Sequence, residues 1–214
     1  MRLVRRYWLL SLMALVLVVA TASFVVRPNA PDDTSIGDRV TAVSSEAASS
    51  PPPVAVVPEA DIGNPTLLRI PAIHVSASVV PTTVEANGAV IIPEDISTVG
   101  WYEPGPRPGD VAGSAVIVGH RDGAVQGHGA FYSLGALNLG DRVVMTTSQG
   151  TVIRYRVVAR EVLSKRAFAK AAPDYFATTG PPRLTMITCG GLYDKANGGY
   201  QANVIVTAVP DAGN

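Results

Sequence analysis

Cys189 is the only cysteine in a chain of 214 residues, and it closes the run Leu184-Thr185-Met186-Ile187-Thr188, with Gly190-Gly191 directly after it. Pro181-Pro182 before the run and the two glycines behind it frame a short buried strand that delivers the thiol at its C-terminal end. A thiolate attacks carbonyl carbon, so a lone thiol in this setting is a candidate nucleophile, and it requires a histidine from elsewhere in the chain. The glycines let backbone approach a ligand closely, and amides near Gly190 are placed to receive an oxyanion. The competing reading is a cysteine that merely packs, because free cysteine is among the most buried residue types.

Three histidines are available. His74 lies between apolar residues, where a satisfied structural histidine is the default, and His128 sits in Gly127-His128-Gly129, a loop with no partner in view. His120 differs: it follows Ala115-Val116-Ile117-Val118-Gly119 and precedes Arg121-Asp122-Gly123. Its setting repeats that of Cys189, an apolar strand ending where a glycine-containing loop begins. If the two strands are neighbours, thiol and imidazole meet at one rim, and the imidazole can protonate a leaving amine. The alternative for His120 alone is a solvated loop histidine.

The elements that must position this pair read as mainly β. Charged residues are sparse, while 20 glycines and 17 prolines suit a turn-rich chain. Strands are expected at 67–70, 75–80, 89–92, 98–102, 114–119, 142–147, 151–163, 183–188 and 202–209, with short helices at 131–137 and 165–175. About eight short strands with long connections suggest a single closed β-barrel over residues 66–210. Lys plus Arg and Asp plus Glu number 17 each, so no basic excess argues for nucleic acid. One cysteine excludes an intrachain disulfide and a multi-cysteine zinc site, and no metal or cofactor is called for.

The first 65 residues address compartment. Arg2, Arg5 and Arg6 precede an uncharged apolar run over residues 7–26. Twenty residues at ~1.5 Å rise cross a ~30 Å bilayer core, so residues 1–26 read as a cytoplasmic stub and transmembrane helix. The arginines orient the remainder outward, giving a single-pass protein of the cell membrane with its folded domain outside. Ala20-Thr21-Ala22 resembles a signal-peptidase site, so cleavage competes with anchoring, although the apolar run exceeds a usual signal segment of ~7–15 residues. Residues 27–65, rich in Pro, Ala and Ser, read as a linker that cannot build a core.

With these residues in place the chain resembles the sortases, and within them the class F group of actinobacteria. The resemblance is carried by Arg69-Ile70-Pro71, Gly100-Trp101-Tyr102, Gly113 through His120, Gly135-Ala136-Leu137 with Gly140-Asp141, and Leu184 through Gly191. Tyr193-Asp194 and Tyr200 followed by Asn203-Val204-Ile205-Val206 extend it. It implies a closed eight-stranded sortase barrel with Cys189 as nucleophile and His120 as general acid and base. It also implies a cysteine transpeptidase that cleaves LPXTG-like sorting-signal proteins after Thr through a thioacyl-enzyme. The acyl group then passes to an amine on a peptidoglycan precursor. Thr188, Gly190 and Gln201 are the implied substrate and oxyanion contacts.

One departure stands out. Sortases carry an arginine after the cysteine, near the start of the final strand, and here none follows Cys189. Gln201 occupies the corresponding segment without charge. Arg121, beside His120, is the candidate substitute cation, with Lys195 a weaker one. Two other readings follow: an L,D-transpeptidase, whose S-x-G-C motif is absent, and a catalytically impaired sortase-fold module that binds wall or surface proteins. The N-terminal expectation has a direct check. Sequencing the mature protein from membranes should give the intact N-terminus, and a start at Ser23 would show cleavage instead.

Overall fold

The structure is a computed structural model that describes residues 61–211. The expected anchor over 1–26 and the linker up to residue 60 lie outside the described residues. Among the described residues no helix is long and apolar enough to cross a membrane.

The strands are β1 (Pro65–Ile70), β2 (Val75–Thr82), β3 (Val99–Tyr102), β4 (Ser114–Gly119), the two-residue pair β5 (Asp122–Gly123) and β6 (Gly127–His128), β7 (Arg142–Thr147), β8 (Val152–Ser164), β9 (Arg183–Asp194) and β10 (Gly199–Pro210). One helix, α1 (Lys165–Tyr175), joins β8 to β9. Eight strands close a barrel in the order β1-β2-β3-β4-β9-β10-β8-β7, and β7 returns to β1. Two neighbouring pairs are parallel, β2 with β3 and β4 with β9. The second of these sends both chain directions to the same rim.

Alternation along β4 and β9 divides the core. Ala115 and Ile117 of β4, with Leu184 and Met186 of β9, face the barrel interior beside Leu68, Trp101, Phe131, Tyr155 and Val206. Val116, Val118 and Ile187 face outward, where Ile205 joins them and Phe168, Tyr175 and Phe176 cover them. A strand buried on both faces reads as a continuous apolar run, which is why Ala115–Val118 carries no polar residue. Helix α1 is therefore the lid of a second, smaller core outside the barrel. Ser164 Oγ caps it by accepting the Ala167 N–H at 3.2 Å. Pro173 is tolerated because only one turn remains after it, closed by Phe176 N–H donating to the Ala172 carbonyl.

Several elements differ from expectation. Residues 89–92 form no strand; Val90 makes only an isolated bridge with Val84. Over 131–137 only Leu134–Ala136 is helical, as a 3-10 turn, with Phe131, Leu134 and Leu137 fully buried at three-residue spacing. β9 and β10 run past the expected ends to Asp194 and from Gly199. His74 stands in a left-handed turn with φ 54°, and His128 pairs with Asp122 in β6 and stacks on Tyr132. Ahead of β1, the Ile62 carbonyl accepts from Thr147 Oγ1 and Asp61 pairs with Arg107 at 2.8 Å.

Gly119 ends β4 where no side chain fits. A Cβ there would lie 2.8 Å from Phe131 Cδ2 and 3.0 Å from Val99 Cγ1. Gly119→Ala should cost about 1–3 kcal/mol of stability by overpacking. A urea midpoint equal to wild type would show that the strand end has room.

Candidate active site

Register sets the site. β4 and β9 pair from Ser114 opposite Arg183 to Val118 opposite Ile187. Two residues further on, His120 and Cys189 are level at the same rim, each one alternation beyond a residue of the outer core. Hydroxyl bonds fasten both ends of this pairing. Ser114 Oγ and Thr185 Oγ1 are 2.8 Å apart at one end, and Thr188 Oγ1 donates to the Gly119 carbonyl at 2.8 Å at the other. The sequence expectation that the two strands are neighbours is met.

Across the sheet, Cys189 faces Asn203 of β10, and Asn203 faces Leu163 of β8. The three residues form one row on the outer face, at the foot of α1. Lys165, the first helical residue, extends this row: its Nζ is 2.6 Å from Asn203 Oδ1 and 3.8 Å from Cys189 Sγ. A groove of about 600 Å³ opens from this point. Its walls are Val84, Val90 and Ile92 from the β2–β3 connection and Phe168, Ala172 and Phe176 around α1. Cys189, Thr188, Asn203 and Lys165 form its polar end. A cleft of this size and polarity suits an extended peptide with an apolar side chain directed inward.

The imidazole of His120 is half-buried, and its Nε2 lies 3.0 Å from the Pro93 carbonyl. A carbonyl can only accept, so Nε2 carries the hydrogen and a neutral ring leaves Nδ1 as its acceptor. The backbone around the ring is held as well: the His120 carbonyl accepts from Phe131 N–H, and that of Arg121 from Gly129 N–H. Gly129 is required here, since a Cβ would sit 2.4 Å from the His120 carbonyl oxygen.

The remaining expected residues are placed as follows. Thr188 is buried with its hydroxyl committed to Gly119. Gly190 is packed so closely that a Cβ would come within 2.7 Å of Val204 Cγ2. Gln201 Nε2 donates to the carbonyls of Asn197 and Gly199, within its own turn. Arg121 lies between two rings, 5.2 Å from the centroid of Tyr200 and 5.8 Å from that of Tyr132. None of His120, Arg121 and Gln201 lines the groove that holds Cys189; His120 is placed beside it by the register of β4 with β9. Sequence reasoning missed Lys165 as a site residue. Its only local signal was a serine cap before a helix at a strand end, and nothing local links position 165 to position 189.

A family model described as Sortase domain matches residues 68–211, a span that contains both His120 and Cys189. The chain belongs to the sortase family. Sortases are cysteine transpeptidases, and the barrel described above is the sortase fold. Among solved structures the chain is similar to sortase C-1 from Actinomyces oris, at 20% identity over 69% of this chain and 74% of that one, with a TM-score of 0.52. A lid mutant of sortase A from Corynebacterium diphtheriae matches at 18% identity, 70% and 71% coverage and a TM-score of 0.53. The sortase D5 transpeptidase of Clostridium perfringens matches at 18% identity, 70% and 79% coverage and a TM-score of 0.50. At these identities the likeness is one of fold. No curated protein sequence matches.

The Pro93 carbonyl that holds His120 belongs to a loop organised by Asp95. This carboxylate accepts from the Ser97 N–H and from the hydroxyls of Ser97 and Thr98. Those bonds, the backbone one first, hold the Asp95 carboxyl below the usual carboxylate range. A depressed folded value stabilises the loop above the unfolded value of ~3.9, and the contribution is lost as pH falls from there through the folded value. The protection of the Ser97 amide, measured against its intrinsic exchange rate at each pH, should fall over that acid window, and Asp95→Ala should lower it likewise at neutral pH. Protection that is unaffected by either change would remove Asp95 as the loop's anchor.

Proposed function

We propose that this sortase is a membrane-anchored transpeptidase of class F type. It cleaves LPXTG-like sorting signals of surface proteins and transfers them to an amine on a peptidoglycan precursor outside the cell. The observation that carries the reading is Cys189 Sγ at the polar end of an apolar groove, with His120 level with it on the adjoining strand end. Tyr193-Asp194, Tyr200 and Asn203 with the run from Leu184 to Gly191 support the class, and the apolar run over residues 7–26 supports the anchor.

In this mechanism the Cys189 thiol gives its proton to Nδ1 of His120, and the resulting thiolate attacks the carbonyl carbon of the scissile peptide, whose preceding side chains occupy the groove. The tetrahedral intermediate collapses as His120 gives a proton to the departing amine, leaving a thioester on Cys189. The incoming amine attacks the thioester, loses its proton to His120, and expels the thiolate. Pro93 holds the imidazole throughout by accepting from Nε2, so the exchanged proton sits on Nδ1. The competing reading, a sortase-fold module that binds without catalysis, rests on the missing arginine after Cys189 alone.

The ectodomain incubated with a sorting-signal peptide library should gain a covalent acyl mass on wild type and none on Cys189→Ala. His120→Ala should slow that acylation by roughly 10²–10⁴-fold, the range for a lost general acid. Absence of any adduct across the library, with Cys189 freely alkylated by small reagents at a rate indifferent to His120, would leave the binding module as the account.

A further inference from the structure

A sortase without the downstream arginine still needs positive charge where the thiolate and the developing oxyanion stand. Among the described residues the cation in contact with Cys189 is Lys165. Its backbone is fixed by two independent features. Ser164, immediately before it, pairs with Ala202 of β10 and also caps α1. The side chain then crosses Asn203, which is 7% exposed and takes one ammonium hydrogen at 2.6 Å, leaving Sγ at 3.8 Å. A lysine ammonium has three donors, so after Asn203 and the sulfur one remains for a substrate oxygen in the groove that Lys165 helps to line.

We propose that Lys165, oriented by Asn203, is the catalytic cation of this site, taking the place that an arginine on the final strand holds in other sortases. The claim rests on the transpeptidase reading for its chemistry and on the row Cys189–Asn203–Leu163 for its geometry. The other candidates do not line the groove, Lys195 in the 3-10 turn Lys195–Asn197 among them. Gln201 is uncharged and bonded to Asn197 and Gly199, and Arg121 is stacked between Tyr132 and Tyr200. Lys165 also opens a helix, where the macrodipole disfavours a cation. A local cost of this kind is expected at a functional position. Because α1 also walls the groove, the charge and the peptide-binding surface move as one unit. In the first step the ammonium attends the sulfur as a thiolate. In the second it turns its free hydrogen to the oxyanion, while the proton for the leaving amine still comes from His120.

Two measurements on the full-length protein decide it. The first needs no substrate: the rate of iodoacetamide alkylation of Cys189 at neutral pH, read by intact mass. Lys165→Met should lower that rate roughly tenfold, because the thiolate is the reacting form. Lys165→Arg should restore most of it, and Lys170→Met, outside the groove lining on the same helix, should change nothing. The second is acylation by a sorting-signal peptide. Here Lys165→Met should lower kcat by ~10²–10³-fold with little change in KM, as for one lost oxyanion donor. Wild-type alkylation and acylation in Lys165→Met, or a loss seen only in Arg121→Gln, would overturn the proposal. If no peptide acylates the wild type, the transpeptidase reading fails, and the alkylation ratio still decides whether Lys165 acts on the sulfur.

Discussion

The parallel pairing of β4 with β9 is the constraint on which the site depends. Antiparallel neighbours would send the ends of two apolar strands to opposite rims; a parallel pair sends them to the same one. The register from Ser114 opposite Arg183 to Val118 opposite Ile187 therefore puts His120 and Cys189 side by side. Shifting it by one residue would turn either side chain to the other face. Two hydroxyl bonds, Ser114 with Thr185 and Thr188 with the Gly119 carbonyl, resist such a slip. Thr188 thus acts through register, holding its neighbour Cys189 level with the histidine.

The outer core does the second task. Val118, Ile187 and Ile205 would be exposed on a bare barrel, and α1 covers them with Phe168, Tyr175 and Phe176. Burial of these side chains fixes where the helix begins. That point, set by the Ser164 cap, is what carries the Lys165 ammonium to Asn203 and the sulfur. The groove is what remains between this helix and the β2–β3 connection. Packing, peptide recognition and charge placement are consequences of one helix resting on one sheet face.

Much of this was legible in the residues. Strand 114–119 could be read because its apolar run is bounded by glycine, and the helix expected over 165–175 has those bounds in the structure. The thiol and the imidazole could be found because each ends such a run. What could not be read was set by long-range pairing. Lys165 meets Cys189 only because β8 lies beside β10 and β10 beside β9, an arrangement that no local pattern encodes. Ala89, Val90 and Ile92 follow a turn at Asn87-Gly88 yet line the groove instead of joining the barrel, since β2 and β3 already pair with each other. The buried spacing of Phe131, Leu134 and Leu137 fits a three-residue turn as well as a helix, and tertiary burial chose the former.

The central claim, that the two strand ends meet, can be tested without substrate. Adjacent strands lie about 4.8 Å apart, inside the ~4.4–6.8 Å span of Cα atoms that a disulfide bridges. His120→Cys, oxidised with copper phenanthroline, should form an intramolecular bond to Cys189, seen as a loss of two hydrogens in intact mass and a linked peptide pair after digestion. Two thiols that both stay free under conditions that oxidise a control dithiol would contradict the pairing and, with it, the site.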